Sequence, residues 1–236
     1  MPIQQAPAQG KEEIPAGDAS PTDGADRAGT GPNCAGISRS VRSAWTPESY
    51  ARHNYRTFAD FAPAGEVLSA AHVDYPLLHA ALFYATNEQR AKHNATQLAY
   101  SPALEKAARE HSIDMVAHGF FAHENPNDAA KRTVTMRLAL QGIPAGAQAE
   151  NIARYTARRR SSPYTYLSYA RLVVGNWIKS SGHRANILDP SYRSLGCGAS
   201  DCGKTCFHIA VTQDFADVAP DAVPTLPLTA PRQNTP

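Results

Sequence analysis

The sequence predicts an α+β fold in which a small antiparallel sheet is covered by helices. Apolar side chains recur at helical spacing in several segments, whereas few segments have the composition of strands. Two of these strand candidates follow each other near the C-terminus and are separated by a short cysteine-bearing turn, which favours a hairpin. Helices that outnumber so short a sheet bury their apolar faces against it, which is the α+β arrangement.

Composition divides the chain into a folded centre and two flexible ends. All 19 aromatic residues (2 Trp, 10 Tyr and 7 Phe) lie between Trp45 and Phe215. The flanking segments lack aromatic residues and contain most of the prolines, a composition that cannot build a core. We therefore expect a flexible N-terminal arm over 1–44 and a flexible proline-rich tail over 219–236.

Five helices are predicted from capping residues or prolines that precede apolar residues at helical spacing. Their starts are Thr46–Pro47, Asp74 with Pro76, Ser101–Pro102, the segment before Val134, and Ser162–Pro163. The third should end at Gly119 and the fourth at Gly142, because glycine commonly follows the last helical turn. The first would carry Tyr50, Phe58 and Phe61 along one side, so we expect 45–73 to pack onto the domain as an added helix.

Three segments have the composition of strands, namely 151–156, 194–199 and 205–215. Pairing the last two about the midpoint of the cysteine run places Cys197 opposite Cys206, close enough for a disulfide. That bridge leaves Cys202 for Cys34, one of three possible connectivities. A zinc site made by these thiols with His208 is the competing interpretation, but structural zinc sites usually have tighter cysteine spacing.

Disulfides bear on the compartment, because they form and persist in oxidising environments. We therefore expect an exported protein, either secreted or periplasmic. The first residues, MPIQQAPAQGKEE, lack the apolar region of a signal peptide. We therefore also expect that a signal peptide has been removed from this sequence.

The balance of charge excludes several classes of partner. The chain has 23 basic and 21 acidic side chains, a net charge of +2, whereas nucleic-acid binding needs a concentrated basic face. The one dense basic cluster, at 158–160, is typical of a solvated loop. No apolar stretch approaches the ~20 residues of a membrane span. We expect no nucleic-acid partner, no transmembrane segment and a monomer.

Loops between the predicted elements contain polar residues that a core does not explain. His123 follows the third predicted helix, Glu150 stands where the first strand begins, and His183 follows the fifth helix. A metalloprotease helix of the HExxH type is excluded, because Asn127 occupies the position of its second histidine and Pro126 disfavours a helix.

The order of these motifs resembles the CAP superfamily, whose domain is also called SCP and which includes cysteine-rich secretory, antigen 5 and plant pathogenesis-related proteins. The matching motifs are His123, Glu150–Asn151–Ile152, Trp177 to His183, Leu195 to Gly198, and Phe207 to Phe215. The bacterial branch in particular is resembled by the stretch NEQRAKHNATQLAYSPALEKAAREHSIDMVAHGFFAH. The family's Gly-His signature is resembled by SGHRANIL. The resemblance covers about residues 74–216, so the CAP domain is expected over 74–218.

The resemblance implies an α-β-α sandwich around a three-stranded antiparallel sheet, with a cleft in which two histidines and two glutamates converge. His123, His183 and Glu150 match the two histidines and one of the glutamates. The second glutamate does not carry over, because Ser180 stands in its place. The pairing of Cys197 with Cys206 agrees with the family's habit.

Two functions are compatible with these residues. His123, Glu150 and His183 form the ligand set of an open zinc site with a position for water, which predicts a zinc-dependent hydrolase acting on peptides. In the alternative, Glu150 fixes one imidazole, zinc is not required, and the cleft with Ser180 binds a ligand that the resemblance implies to be a lipid, a sterol or a cell-envelope component. We favour this non-enzymatic binding module, because no residue offers itself as an independent general base and because the family is known more for binding than for turnover.

Overall fold

The computed structural model describes residues 43–69, 72–156, 163–201 and 208–219. The helices are α1 (Tyr55–Ala59), α2 (Tyr75–Lys92), α3 (Pro102–Ala117), α4 (Val134–Leu140), α5 (Tyr166–Lys179) and α6 (Ser181–Leu188). The strands are β1 (Ala99–Tyr100), β2 (Gln148–Thr156), β3 (Ser194–Asp201) and β4 (His208–Ala216). Short 3-10 helices occupy Pro47–Ala51, Ala62–Gly65 and Ala129–Lys131. None of the described helices is long and apolar enough to cross a membrane.

The sheet has four strands in the order β1-β3-β4-β2. β3 and β4 are antiparallel neighbours, as are β4 and β2, whereas β1 pairs with β3 in parallel. The sheet therefore has one strand more than the three that were expected. β1 has only two residues, too few for any periodic pattern to mark it in the sequence.

Helix α3 covers one face of the sheet at unusually close range. A Cβ atom added at Gly196 would lie 2.0 Å from the backbone nitrogen of Glu105, and one at Gly198 would lie 2.1 Å from that of Arg109. Only glycine allows two backbones to approach in this way. Helix α4 joins the same layer through Leu138, which packs in a small apolar cluster with residues of α3.

Helices α2 and α5 cover the opposite face and enclose the main core. This core contains Leu78, Leu82, Tyr169, Val174, Trp177, Leu195, Val211 and Phe215. Alternate residues of each strand point to opposite faces, so the odd-numbered residues of β3 and β4 enter this cluster. The molecule is thus a sheet between two helical layers, and the predicted α+β class and α-β-α sandwich are confirmed.

Most helix ends follow the capping signals of the sequence. Asp74 accepts a hydrogen bond from the Leu77 amide at 3.2 Å at the start of α2, and Gly119 has a φ of 67° just after α3. The predicted start of the fifth helix at Ser162–Pro163 is wrong. Helix α5 begins at Tyr166 because Thr165 caps it with a hydrogen bond from the Ser168 amide at 3.1 Å.

The segment before α2 packs against the domain, but it is not the single helix that the sequence predicts. Asn54 interrupts it, since its side chain accepts hydrogen bonds from two amides and begins the new helix α1. Trp45 is 2% exposed, and its ring lies 5.2 Å from the ring of Phe58 and 5.7 Å from that of Tyr84 on α2. The expected arm and tail lie almost entirely outside the described residues.

The β3–β4 hairpin corrects the cysteine pairing. Cys197 lies opposite Gln213, so the predicted disulfide between Cys197 and Cys206 is wrong. Cys197 is a free, buried thiol, 3.9 Å from the Nε2 atom of Gln213. The two strands extend to Asp201 and from His208, which moves the centre of the hairpin away from the midpoint of the cysteine run. Cys34, Cys202 and Cys206 lie outside the described residues, and the Cys34–Cys202 bridge stays a prediction.

Side chains from α5 and α6 cap the open edge of β2. The indole Nε1 of Trp177 donates to the carbonyl oxygen of Ile152 at 3.2 Å. The side-chain amide of Asn186 donates to the carbonyl oxygen of Glu150 at 3.4 Å. These bonds fix the edge strand at the position from which the Glu150 side chain projects.

Candidate functional site

Glu150 lies on β2 and points toward the layer formed by α3 and α4, with its side chain only 2% exposed. Its Oε1 atom is 2.8 Å from Nδ1 of His123. An ionised carboxylate can only accept hydrogen bonds, so Nδ1 carries a proton and Nε2 is the ring nitrogen that does not contact Glu150. The His123 side chain is 57% exposed. The pair therefore presents one imidazole to solvent, supported from inside by a carboxylate.

Arg137 on α4 holds the other oxygen of this carboxylate. Its Nη2 donates to Oε2 of Glu150 at 2.5 Å, and the residue is 3% exposed. Its Nη1 donates to the carbonyl oxygens of Lys131 and Arg132 at 3.0 and 3.1 Å. A buried guanidinium thus neutralises Glu150 and ties it to the loop that precedes α4.

These contacts decide the charge of Glu150. Burial would raise the pKa of its carboxyl group, but the hydrogen bond from His123 and the charge of Arg137 outweigh burial and hold this pKa below its usual value. Glu150 is therefore ionised at neutral pH, and both of its oxygens are engaged within the protein.

A second carboxyl group lies beside Glu150. Asp214 on β4 is directly opposite Glu150 across the sheet and is fully buried. Burial raises the pKa of Asp214 well above its ordinary value, and the adjacent charge of Glu150 raises it further, whereas Arg137 lowers it. Of the two buried carboxyl groups only Glu150 is hydrogen-bonded to the guanidinium, and neither oxygen of Asp214 has a hydrogen-bond partner, so Asp214 retains its proton.

His111 completes the inner side of the site. Its Nε2 is 3.0 Å from the carbonyl oxygen of Ala122, next to His123, and 3.8 Å from Oε2 of Glu150. Burial lowers the pKa of His111 and, with the charge of Arg137, outweighs the charge of Glu150, which raises it, so the ring is neutral. The neutral ring donates from Nε2 to Ala122 and so holds the loop that carries His123.

Ser180 and His183 form a second pair at the junction of α5 and α6. The hydroxyl of Ser180 is 2.9 Å from Nδ1 of His183. The side-chain amide of Asn151 donates to the carbonyl oxygen of His183 at 3.3 Å, and that of Asn186 donates to Oδ1 of Asn151 at 2.9 Å. Because Asn186 also bonds the Glu150 backbone, the two pairs belong to one connected network.

A cavity of about 260 Å³ lies elsewhere, between the N-terminal segment and α2. Its walls include Tyr50, Phe83, Tyr84, Leu98 and Tyr100. The residues that line it include none of the predicted site residues, so this cavity is separate from the site.

The model of CAP, the cysteine-rich secretory protein family, matches residues 83–215, more than half of the chain. The protein is a member of the CAP family. The match lies within the predicted domain 74–218 and contains every residue of the network described above.

Relatives of this CAP protein occur in Bacillus. The uncharacterized protein YkwD of Bacillus subtilis is 30% identical over 118 residues, which cover 50% of this chain and 40% of YkwD. The uncharacterized membrane protein YlbC of the same organism is 29% identical over 113 residues, 48% of this chain and 29% of YlbC. Among solved structures, an extracellular protein containing an SCP domain from Bacillus anthracis is 28% identical with a TM-score of 0.47, covering 58% of this chain and 39% of that one. The chain therefore spans less than half the length of each of these relatives.

Two features of the CAP site weigh against a zinc ion. Within the parts of the chain that the structure describes, no three His, Cys, Asp or Glu side chains are grouped so as to hold a metal ion. Glu150 also has its Oε2 atom on the guanidinium of Arg137, a cation that would repel a second one. Zinc binding by His123, Glu150 and His183 stays a prediction.

The inner residues of this site, His111, Arg137 and Asp214, were not predicted from the sequence. His111 has the pattern of a core histidine, and it is indeed buried in α3, but it also contacts the site. Arg137 follows Met136 on a short helix, and Asp214 follows Gln213 on a strand buried on both faces. No local pattern distinguishes either residue from a surface charge, because both owe their burial to the folded arrangement.

Proposed function

We propose that this CAP domain is a monomeric, exported binding module without catalytic turnover, and that its ligand is a lipid, a sterol or a component of the cell envelope. The ligand would bind at the cleft around His123, with Glu150, His183 and Ser180 as further cleft residues. Neither zinc nor another cofactor is required for this function.

The engagement of Glu150 carries the proposal. Its two oxygens bond Arg137 and His123, so this carboxylate has no acceptor directed at a ligand and cannot serve as a free general base. Asp214 is protonated and buried, which removes the second carboxyl group as a base. What the site offers to solvent is the Nε2 atom of His123, which can form a hydrogen bond with a ligand.

The description of the family as cysteine-rich secretory proteins supports export. Secretion or transfer to the periplasm would bring the domain into contact with the cell envelope, where ligands of the proposed classes occur. The free Cys197 thiol does not argue against export, because complete burial protects it from oxidants.

The binding proposal is tested with the full chain. Purified protein is sedimented with isolated cell-wall sacculi, with phosphatidylglycerol–phosphatidylcholine vesicles and with cholesterol-containing vesicles. We expect at least one of these to retain the wild type and to retain His123→Ala less well. His93→Ala is the matched control, since His93 is an exposed histidine at the end of α2. Retention of none of the three, or equal loss with both variants, would contradict the proposal.

A separate measurement tests the zinc-dependent alternative. Zinc is titrated into the full chain by calorimetry, and peptide cleavage is followed with and without added zinc. We expect no binding tighter than millimolar and no cleavage. Zinc binding tighter than micromolar that His123→Ala and His183→Ala abolish, together with cleavage, would replace the binding module with a hydrolase.

A further inference from the structure

The face of β2 that carries Glu150 continues along the strand to Arg154. Residues two and four positions apart share a face, and four residues span about 13 Å. The loop 120–123 runs beside this face in the opposite direction. Its His123 contacts Glu150 at one end, and its Phe121 lies under Arg154 at the other, with the guanidinium carbon 5.1 Å from the ring centre. We call Arg154, Phe121 and His123 the cleft row.

All three members of the cleft row face solvent. Phe121 is 42% exposed, the side chain of His123 is 57% exposed, and Arg154 is also exposed. Phe121 is one of only five large hydrophobic residues with such exposure in the described part of the chain. An exposed aromatic ring beside polar groups is typical of a recognition surface.

The charge of the cleft row is positive. The guanidinium carbon of Arg154 lies 5.1 Å from the ring centre of Phe121, a cation–π contact, and the guanidinium N–H groups can donate to a ligand. The carboxylate of Glu150 beneath the row does not oppose this charge, because the buried guanidinium of Arg137 already neutralises it. An anionic ligand would therefore meet no uncompensated negative charge from the strand.

The chemistry of the three side chains selects one class of ligand. Two N–H groups on one edge of an arginine guanidinium bind a carboxylate through two parallel hydrogen bonds. A phenylalanine ring offers a flat apolar face of the kind on which a sugar ring stacks, and Nε2 of His123 can form a hydrogen bond with a hydroxyl group. A lipid chain would need an enclosed apolar channel, whereas the row is open and has a single apolar member.

We propose that the cleft row binds an acidic polysaccharide, with a sugar carboxylate on Arg154, a ring face on Phe121 and a hydroxyl on His123. This inference rests on the proposed binding function and narrows its ligand to one envelope component.

The test measures binding of the full chain to a fluorescently labelled galacturonic-acid tetramer and to the neutral galactose tetramer of equal length. We expect the acidic tetramer to bind and the neutral one to bind at least tenfold more weakly, because a charge-assisted hydrogen bond is lost. Arg154→Gln should weaken binding by about tenfold or more, and Arg154→Lys should recover only part of the loss, because lysine cannot reproduce the two-bond geometry. Phe121→Leu should also weaken binding. Arg171→Gln, an exposed arginine of α5 in the opposite helical layer, should have no effect.

Several outcomes would overturn the inference. Equal binding of the two tetramers, or an Arg154→Gln variant that binds like the wild type, would contradict it. Binding of phosphatidylglycerol vesicles without binding of the acidic tetramer would assign the cleft to lipid, leaving the proposed function intact and this inference wrong. If sacculi, vesicles and both tetramers all fail to bind, the proposed function fails with it. Thermal unfolding of each variant identifies losses that come from misfolding.

Discussion

Replacing Asp214 with asparagine should make the domain more stable than the wild type as the pH rises. The side chain keeps its shape, and neither carboxyl oxygen of Asp214 has a hydrogen-bond partner that the substitution would remove. The two proteins differ because the carboxyl group of Asp214 titrates and an amide does not. Burial and the charge of Glu150 raise the pKa of Asp214 in the folded state. In the unfolded chain the same residue ionises near pH 4.

The sign and size of the effect follow from proton linkage. Between the unfolded and the folded pKa of Asp214, the folded state holds one proton more than the unfolded state, so the free energy of unfolding of the wild type falls as pH rises. The slope is about 1.4 kcal/mol per pH unit, and two pH units above about pH 4 amount to up to about 3 kcal/mol. The amide of the substituted side chain does not titrate, so the variant lacks this loss. The advantage of D214N grows with pH until Asp214 ionises in the folded wild type, and then levels off.

Urea unfolding of the wild type and Asp214→Asn at a series of pH values measures this difference. Glu150 titrates in both proteins, so its contribution to the pH dependence cancels when the two are compared. Asp217→Asn is the matched control, because Asp217 is exposed and paired with Arg193 on the surface. A stability difference between D214N and the wild type that does not change with pH would refute the assignment of a proton to Asp214.

Three further experiments test other parts of the structure. Arg137→Met should cost about 3–5 kcal/mol in urea unfolding, because it leaves Glu150 buried without its cation, and adding Glu150→Gln should restore part of the loss; a cost below about 1 kcal/mol would show that the ion pair is solvated. Gly196→Ala should cost about 3 kcal/mol or more, since its Cβ would overlap the backbone of α3, whereas Gly175→Ala, with open space around it in α5, should stabilise by about 0.5–1 kcal/mol; similar thermal midpoints for the two would contradict the close packing. The buried Cys197 should resist alkylation in the folded protein and react in urea, as peptide mass spectrometry would show, and rapid labelling of the native protein would contradict its burial.

The sequence predicted elements whose signals are local. Asp74 and Ser101 mark the first turns of α2 and α3 because a capping side chain bonds an amide three residues away, within the same short segment. The fold class followed from such helices and from the strand patterns around them. The pairing of His123 with Glu150 was accessible only through the order of motifs, because 27 residues separate them.

Errors arose where distant parts of the chain decide the structure. The register that places Cys197 opposite Gln213 depends on how α2 and α3 cover the two faces of the hairpin, which a symmetric reading of the cysteine run ignores. Arg137 and Asp214 are recognisable as site residues only once α4 and β4 converge on Glu150. Their burial, which distinguishes them from surface charges, is a property of the folded molecule.

The capped edge of β2 also limits how this protein can associate with others. An open edge strand recruits further strands through its backbone, both in peptide recognition and in aggregation. Trp177 and Asn186 occupy two of the carbonyl groups that an incoming strand would need. An incoming chain would have to displace a fully buried tryptophan first. At this edge the domain is therefore restricted to partners that contact its side chains, and it is protected from adding further strands there.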